Sequence, residues 1–455
     1  VGPAAEAYSR DATFLRGPTP AVLIARRTEE ISRALTLCSE IGLNVIPRGA
    51  GTSLSGGPVP LSECLVVSLE QMSRIEIDPH DACARVEAGA ITGSVQEAAA
   101  RHGLMYPPDP ASLYMSTIGG NIACNAGGIS CLKYGVTADY ILGLTVVRAD
   151  GSILKLGGAT RKRASGYRLT HLFIGSEGTL GIVTEATLKL IPLPPHRATA
   201  FITFPSVESA ADAVANLMAA GHLPCALELM DEGALRLVRH LLPAVLQPGV
   251  GAALLVEQDG PLAEVAEEEL FGIIQVLGGL ENRIAQSRAE RDRLWEARRS
   301  FGKVVMEGRR NYFSEDIAVP LSRIPEMVRR LRQLSDSTGV EIALVGHAGD
   351  GNLHPNILFG DDQRNRAGQV AAQILRDAVE LGGTISAEHG LGALKRDFAS
   401  TEHPGAALEL MKGIKDLLDP NGILNPGKIF PTGPADDEFL SRQPGWGQGH
   451  HELGL

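Results

Sequence analysis

The segment Val345-Gly346-His347-Ala348-Gly349-Asp350-Gly351-Asn352-Leu353-His354-Pro355-Asn356 puts two imidazoles on either side of a turn signal. Asp-Gly is a favoured two-residue hairpin turn. With Asp350-Gly351 as that turn, Gly349 faces Asn352, Ala348 faces Leu353 and His347 faces His354. Directly opposed residues share a face, with Cβ atoms about 4.5–5.5 Å apart, so the two rings can share one metal ion. Asn356, two residues beyond His354, lies on the same face of a regular strand. Pro355 calls for an edge strand or an irregular one. The competing reading is a pair of surface histidines on a hairpin. It loses ground once a third ligand is counted, because Ser386-Ala387-Glu388-His389-Gly390-Leu391-Gly392 carries Glu388 beside His389 after an expected strand. Two histidines and one carboxylate with open positions suit a divalent metal such as Zn, Mn or Fe. On an ideal strand Glu388 and His389 would face opposite ways, and Gly390 and Gly392 let the chain turn so that both reach one site.

A second kind of chemistry is written in glycine. Pro47-Arg48-Gly49-Ala50-Gly51-Thr52-Ser53-Leu54-Ser55-Gly56-Gly57 follows an expected strand. Successive exposed backbone N–H groups there can form a nest for phosphate. A dinucleotide fingerprint would need glycine at Leu54 and a helix directly after it. A Walker A loop would need Gly-Lys-Ser/Thr, and no lysine occurs before Lys133. The loop is therefore a phosphate cradle of another type, or a plain turn. Two more loops accompany it: Thr117-Ile118-Gly119-Gly120-Asn121-Ile122-Ala123-Cys124-Asn125-Ala126-Gly127-Gly128 and Gly175-Ser176-Glu177-Gly178-Thr179-Leu180-Gly181-Ile182-Val183. Three such loops before residue 200 fit one elongated ligand gripped along its length, rather than a β protein that uses glycine only for bends.

The composition narrows the rest. The chain has 455 residues, with 42 Lys and Arg against 53 Asp and Glu, a net charge of −11. That excess of acid argues against a nucleic-acid partner. Glycine (52 residues) is abundant and aromatic residues (4%) are scarce, consistent with a ligand held largely by backbone. None of the six cysteines forms a C-x-x-C pair, which weakens any iron–sulfur, structural-zinc or disulfide-scaffold reading. No run of 18 apolar residues suggests a membrane span. No export signal is visible at the N-terminus either. A cytoplasmic protein, reaching a membrane only through partners, is expected.

Elements must position these loops. Thr28 is expected to cap a helix with Ile31, Leu35 and Cys38 on its apolar face, ended by Gly42. Strands are expected at 43–47, 65–69, 75–77, 85–88 and 184–190, a helix at 94–102, and a hairpin around Ala149-Asp150-Gly151. Residues 106–135 show little regular pattern, and a loop that long is usually functional. The cluster Ile191-Pro192-Leu193-Pro194-Pro195 suggests a domain boundary. Beyond it, strands at 198–204, 226–230, 252–258, 341–345 and 352–358 are expected. They alternate with helices at 207–220, 263–277, 288–307, 324–338 and 367–381. From 434 the tail is polar and turn-rich, and is expected to be loosely held.

Taken in order, Pro47–Gly57, Tyr106-Pro107-Pro108-Asp109-Pro110, Thr117–Gly128, Lys133-Tyr134-Gly135 and Gly175–Val183 resemble the flavin-binding domain of the vanillyl-alcohol oxidase / p-cresol methylhydroxylase superfamily. The second half resembles its FAD-linked D-2-hydroxy acid dehydrogenases, a group that includes the flavin subunits of glycolate oxidase and the D-lactate dehydrogenases. The resemblance spans about residues 8–430. It implies an α+β fold: a two-subdomain FAD-binding domain over 1–194 and a cap domain over 195–415, with an antiparallel sheet covered by helices. Residues 416–433 would return to the FAD domain, and 434–455 would be a flexible tail.

By motif match, Pro47, Arg48, Gly49, Ala50, Gly51, Thr52 and Ser53 would cradle the pyrophosphate. Pro110, Ser116, Thr117, Gly119, Gly120, Asn121, Asn125, Gly127 and Gly128 would line the flavin, with Gly178, Ile182 and Val183 near the adenine half. Some members bind FAD through a histidine where Thr52 stands here, so non-covalent FAD is implied. His347, His354 and Glu388 match the metal ligands and His389 the base. Asn356 matches a polar contact to substrate or metal, and Arg298 matches the holder of the substrate carboxylate. A guanidinium suits that last role, but among Arg291, Arg293 and Arg299 the sequence alone could not have selected Arg298. Relatives acting on hydroxyglutarate carry a lysine where Ser314 stands, which favours a small monocarboxylate such as glycolate or D-lactate. The implied chemistry is hydride transfer from C2 to flavin N5. The acceptor after that would be a quinone, a cytochrome or an iron–sulfur partner subunit. A metal-dependent hydrolase and a non-catalytic flavin-binding subunit are the rival readings.

Overall fold

The computed structural model describes residues 3–13, 15–242, 246–308 and 311–435; the expected loose tail falls, from residue 436, outside the described residues. Among the described residues the chain is α+β, with two sheets before residue 190, one large sheet after 195, and a two-stranded pairing of Leu104–Met105 with Ile191–Pro192. Strands Ala21–Ile24 and Val45–Arg48 flank Leu65–Ser68 in a parallel three-stranded sheet. Parallel strands need a crossover connection, and helix Thr28–Ile41 supplies one between the two outer strands, burying Ile31, Leu35 and Cys38. Gly42, at φ +69°, ends that helix with its N–H on the Cys38 carbonyl. Thr28 is not the cap that was expected. Arg27 stands at the cap position without a side-chain bond, and the Thr28 hydroxyl donates to Thr184 Oγ1 instead.

The second sheet is antiparallel, in the order Ile75–Asp78, Cys83–Glu87, Ile182–Lys189, Ile141–Val147, Ile153–Gly157. Ala149–Gly151 forms the expected hairpin turn. The patternless stretch 106–135 contains two short helices, Ile118–Cys124 and Cys131–Tyr134. Neither is long enough to show a 3.6-residue period.

After residue 195, eight strands among the described residues form one antiparallel sheet. Its order is Glu281–Ile284, His196–Phe204, Ala252–Gly260, Ala226–Asp231, Glu341–His347, Asn352–Phe359 and Asn311–Ser314, with Ile317–Ala318 also on the last edge. Helices Val207–Ala219, Ala263–Leu277, Ile324–Thr338 and Arg364–Glu380 pack on one face. Arg288–Arg299 and Phe301–Glu307 pack on the other, through Leu294, Trp295, Phe301 and Val305. The single helix expected over 288–307 breaks at Ser300. A further helix, Gly405–Leu418, was not expected; none of its residues is fully buried, and Ile414 and Leu418 pack against the core of the second sheet.

The hairpin carrying the histidines differs from its expected register. His347 pairs with Asn352, and Val345 with His354. The loop is Ala348–Gly351, a 3₁₀ turn closed by Gly351 at φ +86°. Pro355 is not on an edge strand. Its carbonyl accepts from Glu315 N where the neighbouring strand is interrupted between Ser314 and Ile317. The proline has no N–H to offer at that interruption, so nothing is lost there. Gly351→Ala would put a Cβ 2.2 Å from the Val319 carbonyl oxygen, at a φ that L residues rarely adopt. The expected outcome is destabilisation by about 1–3 kcal/mol, read as a lower midpoint in thermal unfolding.

Candidate active site

His347, Glu228, His354 and Asn356 lie on the sheet face covered by Arg288–Arg299, because alternate residues on their strands join the Val345, Met230 and Leu358 side of the core. Loops from the first half of the chain also pack at this end of the face. Gly127 lies against Glu388, a Cβ there falling 2.6 Å from Oε1, and Gly349 lies against Leu132. Ser55 donates its hydroxyl to the His389 carbonyl (3.0 Å), and its own carbonyl accepts from Ala393 N and Leu394 N.

His347, His354 and Glu388 each present one donor atom, all within 4.8 Å of one another. His347 Nε2 is 3.5 Å from Glu388 Oε1. The His347 and His354 rings meet edge to face at 5.2 Å, and His354 stacks on His389 at 5.6 Å. The donor set of two imidazoles and a carboxylate fits a divalent cation, as does its electrostatics. Burial pulls His347 down, but Glu228 and Glu388 outweigh it and raise its pKa to about 10. Burial raises Glu388 to about 8 against the pull of His347. Burial and then His347 hold His354 well below the usual imidazole range. Such a site favours one extra positive charge.

Behind this face is Asp316, fully buried. Its Oδ2 accepts from Glu388 N (2.8 Å), His389 N (2.9 Å) and Ser386 Oγ (3.0 Å), and its Oδ1 from Asn352 Nδ2 (2.8 Å). Burial opposes its ionisation, yet His389, His354 and Lys395 lower its pKa. His389 Nδ1 lies 3.9 Å from it; burial keeps His389 below its ordinary value despite that carboxylate. Asn356 is buried, with Nδ2 on the His354 carbonyl, and pairs across strands with Ser314. Glu388 and His389 do not follow a strand, as had been expected. Among the described residues, Thr384 makes only an isolated bridge with Ala318, and Gly390 and Gly392 sit at positive φ.

Arg298 is set apart from its neighbours by the helix period. It lies on the buried stripe with Leu294, Trp295 and Ala297, while Arg293 and Arg299 face outward. Its Nη2 reaches Glu228 Oε2 at 2.7 Å, and Glu228 Oε1 lies 2.6 Å from His347 Nδ1. Among the described residues, the Arg298 Nε is buried without a partner.

The three glycine loops converge. A Cβ on Gly49 would strike Thr117 Oγ1 and one on Gly178 would strike Pro47, while Gly175 N and Glu177 N donate to the Ile122 and Ala123 carbonyls. Among the described residues, the backbone N–H groups of Ala50, Gly51, Thr52 and Ser53 make no intramolecular bond. Four successive free donors fit a pyrophosphate. The Arg48 guanidinium is committed to the Ala7 and Arg10 carbonyls, which leaves its main chain for the cradle. Thr117 accepts from Gly120 N, Ser116 and Asn121 bond Thr92, and Asn125 accepts from Ala138 N. Pro110 is buried, and Gly119 is packed on Ala88 and Gly128 on Asp109. Ile182 and Val183 point into separate cores.

Three site residues had drawn no functional reading: Glu228, Asp316 and Glu177. For Glu228 the signal was a charged residue inside an apolar run, Ala226-Leu227-Glu228-Leu229-Met230; Asp316, beside Glu315, and Glu177, in a glycine loop, carry no such mark. Glu177, at φ +49°, accepts from Leu391 N (2.7 Å) and Gly392 N (2.8 Å), tying the third glycine loop to the turn after His389.

The chain matches the FAD binding domain family over residues 19–157 and the C-terminal domain of FAD linked oxidases over 193–429. It is 42% identical over 430 residues to a glycolate oxidase subunit GlcD of Bacillus subtilis (93% of this chain, 92% of that one). It is 39% identical over 438 residues to a D-lactate dehydrogenase of Archaeoglobus fulgidus (94% and 96%). Among solved structures, 4-ethylphenol oxidase from Gulosibacter chungangensis superposes with a TM-score of 0.75 at 20% identity (94% of this chain, 93% of that one), a likeness of fold alone. No helix among the described residues is long and apolar enough to cross a membrane. With its converging glycine loops joined to a helix-covered antiparallel sheet, the chain belongs to the FAD-linked oxidases.

Proposed function

We propose that this enzyme oxidises a small D-2-hydroxy acid, glycolate or D-lactate, to the 2-oxo acid. The observation that carries the reading is the meeting of Gly127, from a flavin-side loop, with Glu388 of the histidine–carboxylate cluster. The names of the relatives support the substrate class. FAD, held non-covalently by residues 47–53 and the two further glycine loops, supplies the two-electron acceptor, and a divalent cation on His347, His354 and Glu388 supplies Lewis acidity. The other roles belong to side chains. Arg298 takes the substrate carboxylate, satisfying a guanidinium nitrogen that is otherwise buried and unpaired. His389, kept neutral by burial, accepts the hydroxyl proton, and the Asp316 charge 3.9 Å from Nδ1 stabilises the imidazolium that results. Asn356 helps orient the substrate. Loops packed over the sheet end exclude water. The electrons leave to a quinone, a cytochrome or an iron–sulfur partner subunit, consistent with a chain that contains no C-x-x-C pair and with a relative named as a subunit. A hydrolase would have no use for the FAD-binding domain.

Anaerobic mixing with D- and L-2-hydroxy acids should bleach the flavin for D-lactate or glycolate, and an unbleached flavin across the panel would refute the reading. His389→Ala should retain FAD and slow flavin reduction by roughly 10²–10⁴-fold; reduction at wild-type speed would remove the base assignment. Chelator treatment should abolish reduction while FAD stays bound, with recovery on adding Mn²⁺ or Zn²⁺. Ser314 sits beside Asn356, so Ser314→Lys should raise kcat/KM for 2-hydroxyglutarate relative to D-lactate by roughly 10–100-fold, the worth of one charged hydrogen bond.

A further inference from the structure

Metal centre and arginine meet in Glu228. This residue is fully buried on strand Ala226–Asp231, directly opposite His347 on the neighbouring strand. Its two oxygens are divided between two partners: Oε1 lies 2.6 Å from His347 Nδ1, and Oε2 lies 2.7 Å from Arg298 Nη2. A carboxylate paired with a guanidinium is an acceptor, so the hydrogen between Oε1 and Nδ1 belongs to the imidazole. With that hydrogen kept on Nδ1, Nε2, which faces Glu388 at 3.5 Å, is the nitrogen that gives up its proton to ligate a metal. Resting on the metal reading above, we propose that Glu228 is a positioning residue: it fixes His347 in the Nδ1–H tautomer so that Nε2 can ligate, and with its other oxygen it holds Arg298. The metal ligand and the carboxylate-binding arginine are thereby built on one side chain, although they come from a strand and a helix far apart in sequence.

Glu228→Gln separates this role from mere occupancy, because it keeps size and shape. The amide has one acceptor and one donor end. Arg298, a charged donor, claims the carbonyl, and the NH₂ is left against His347 Nδ1. That favours the tautomer with the proton on Nε2 and removes the lone pair a metal needs. The test uses FAD-loaded, metal-stripped protein titrated with Mn²⁺ and followed by electron paramagnetic resonance, with no substrate present. In Glu228→Gln the Mn²⁺ dissociation constant is expected to rise roughly 10–100-fold, the usual effect of losing such a support, with FAD content unchanged. An affinity within twofold of wild type overturns the proposal while leaving the metal centre standing. A wild-type protein that binds no Mn²⁺ overturns the metal reading and this proposal together. Should the variant fail to fold, ¹⁵N imidazole spectra of Zn²⁺-loaded wild type decide the matter, with the His347 signal assigned by its loss in His347→Asn. A proton on Nδ1 supports the proposal, and a proton on Nε2 overturns it.

Discussion

One fully buried carboxylate, Asp316, is the constraint on which the histidine-bearing end of the sheet depends. Removing an ionised group from water is expensive unless hydrogen bonds and opposite charges surround it. Asp316 meets that condition only because the strand beside Asn352–Phe359 is interrupted between Ser314 and Ile317, and Pro355 faces that interruption. The carboxylate then points beneath the site. It gathers the backbone of Glu388 and His389, the Asn352 side chain and the Ser386 hydroxyl. A segment with no regular structure is thereby held as firmly as a strand would be.

The remaining charges follow the same logic. Glu228 is shared between His347 and Arg298, and Lys395 Nζ lies 3.0 Å from buried Glu315 and bonds the Asp316 and Ile385 carbonyls. These groups do not compete with hydrophobic residues for stabilising energy. They specify where two loops and a helix sit at the end of a sheet. The two halves of the chain are joined by similar means. Lys133 and Tyr134 both reach Asp259, and Glu177 holds the turn after His389 from a left-handed backbone position. Holding a non-glycine residue there costs about 1–3 kcal/mol. Both Glu177 oxygens accept, its N–H donates to Ala123 and its carbonyl accepts from Asn425, bonds that offset the strain.

The histidine hairpin shows how a site can be legible when its geometry is not. A two-residue turn at Asp350-Gly351 would have opposed His347 and His354, whereas the strands pair two residues out of that register. Side chains alternate with period two, so an even slip keeps both histidines on one face, and the rings still meet. A slip of one would have parted them. The glycine loops were legible for a related reason. Left-handed backbone at Gly51 and Gly178, and close approach at Gly49, narrow the residue choice strongly enough to show in one sequence. The helices within 106–135 were not legible, since they are too short to display a period, whereas Ala407, Met411, Ile414 and Leu418 of Gly405–Leu418 do keep a helical spacing.

By itself, the sequence determined the three glycine loops, the histidine pair and the acidic residue beside a third histidine, while the α+β class came from the family resemblance that those loops carry. Each rests on local rules: period, turn chemistry, and the few residue types that bind metal or allow positive φ. Only the tertiary structure decided which arginine of the 291–299 cluster turns inward, that Gly127 lies on Glu388, and that Glu228 and Asp316 stand behind the histidines. Those choices depend on which elements come to share a face. A lone charge in an apolar strand carries no mark of its partner until packing removes the water and leaves that partner as the only group to satisfy it.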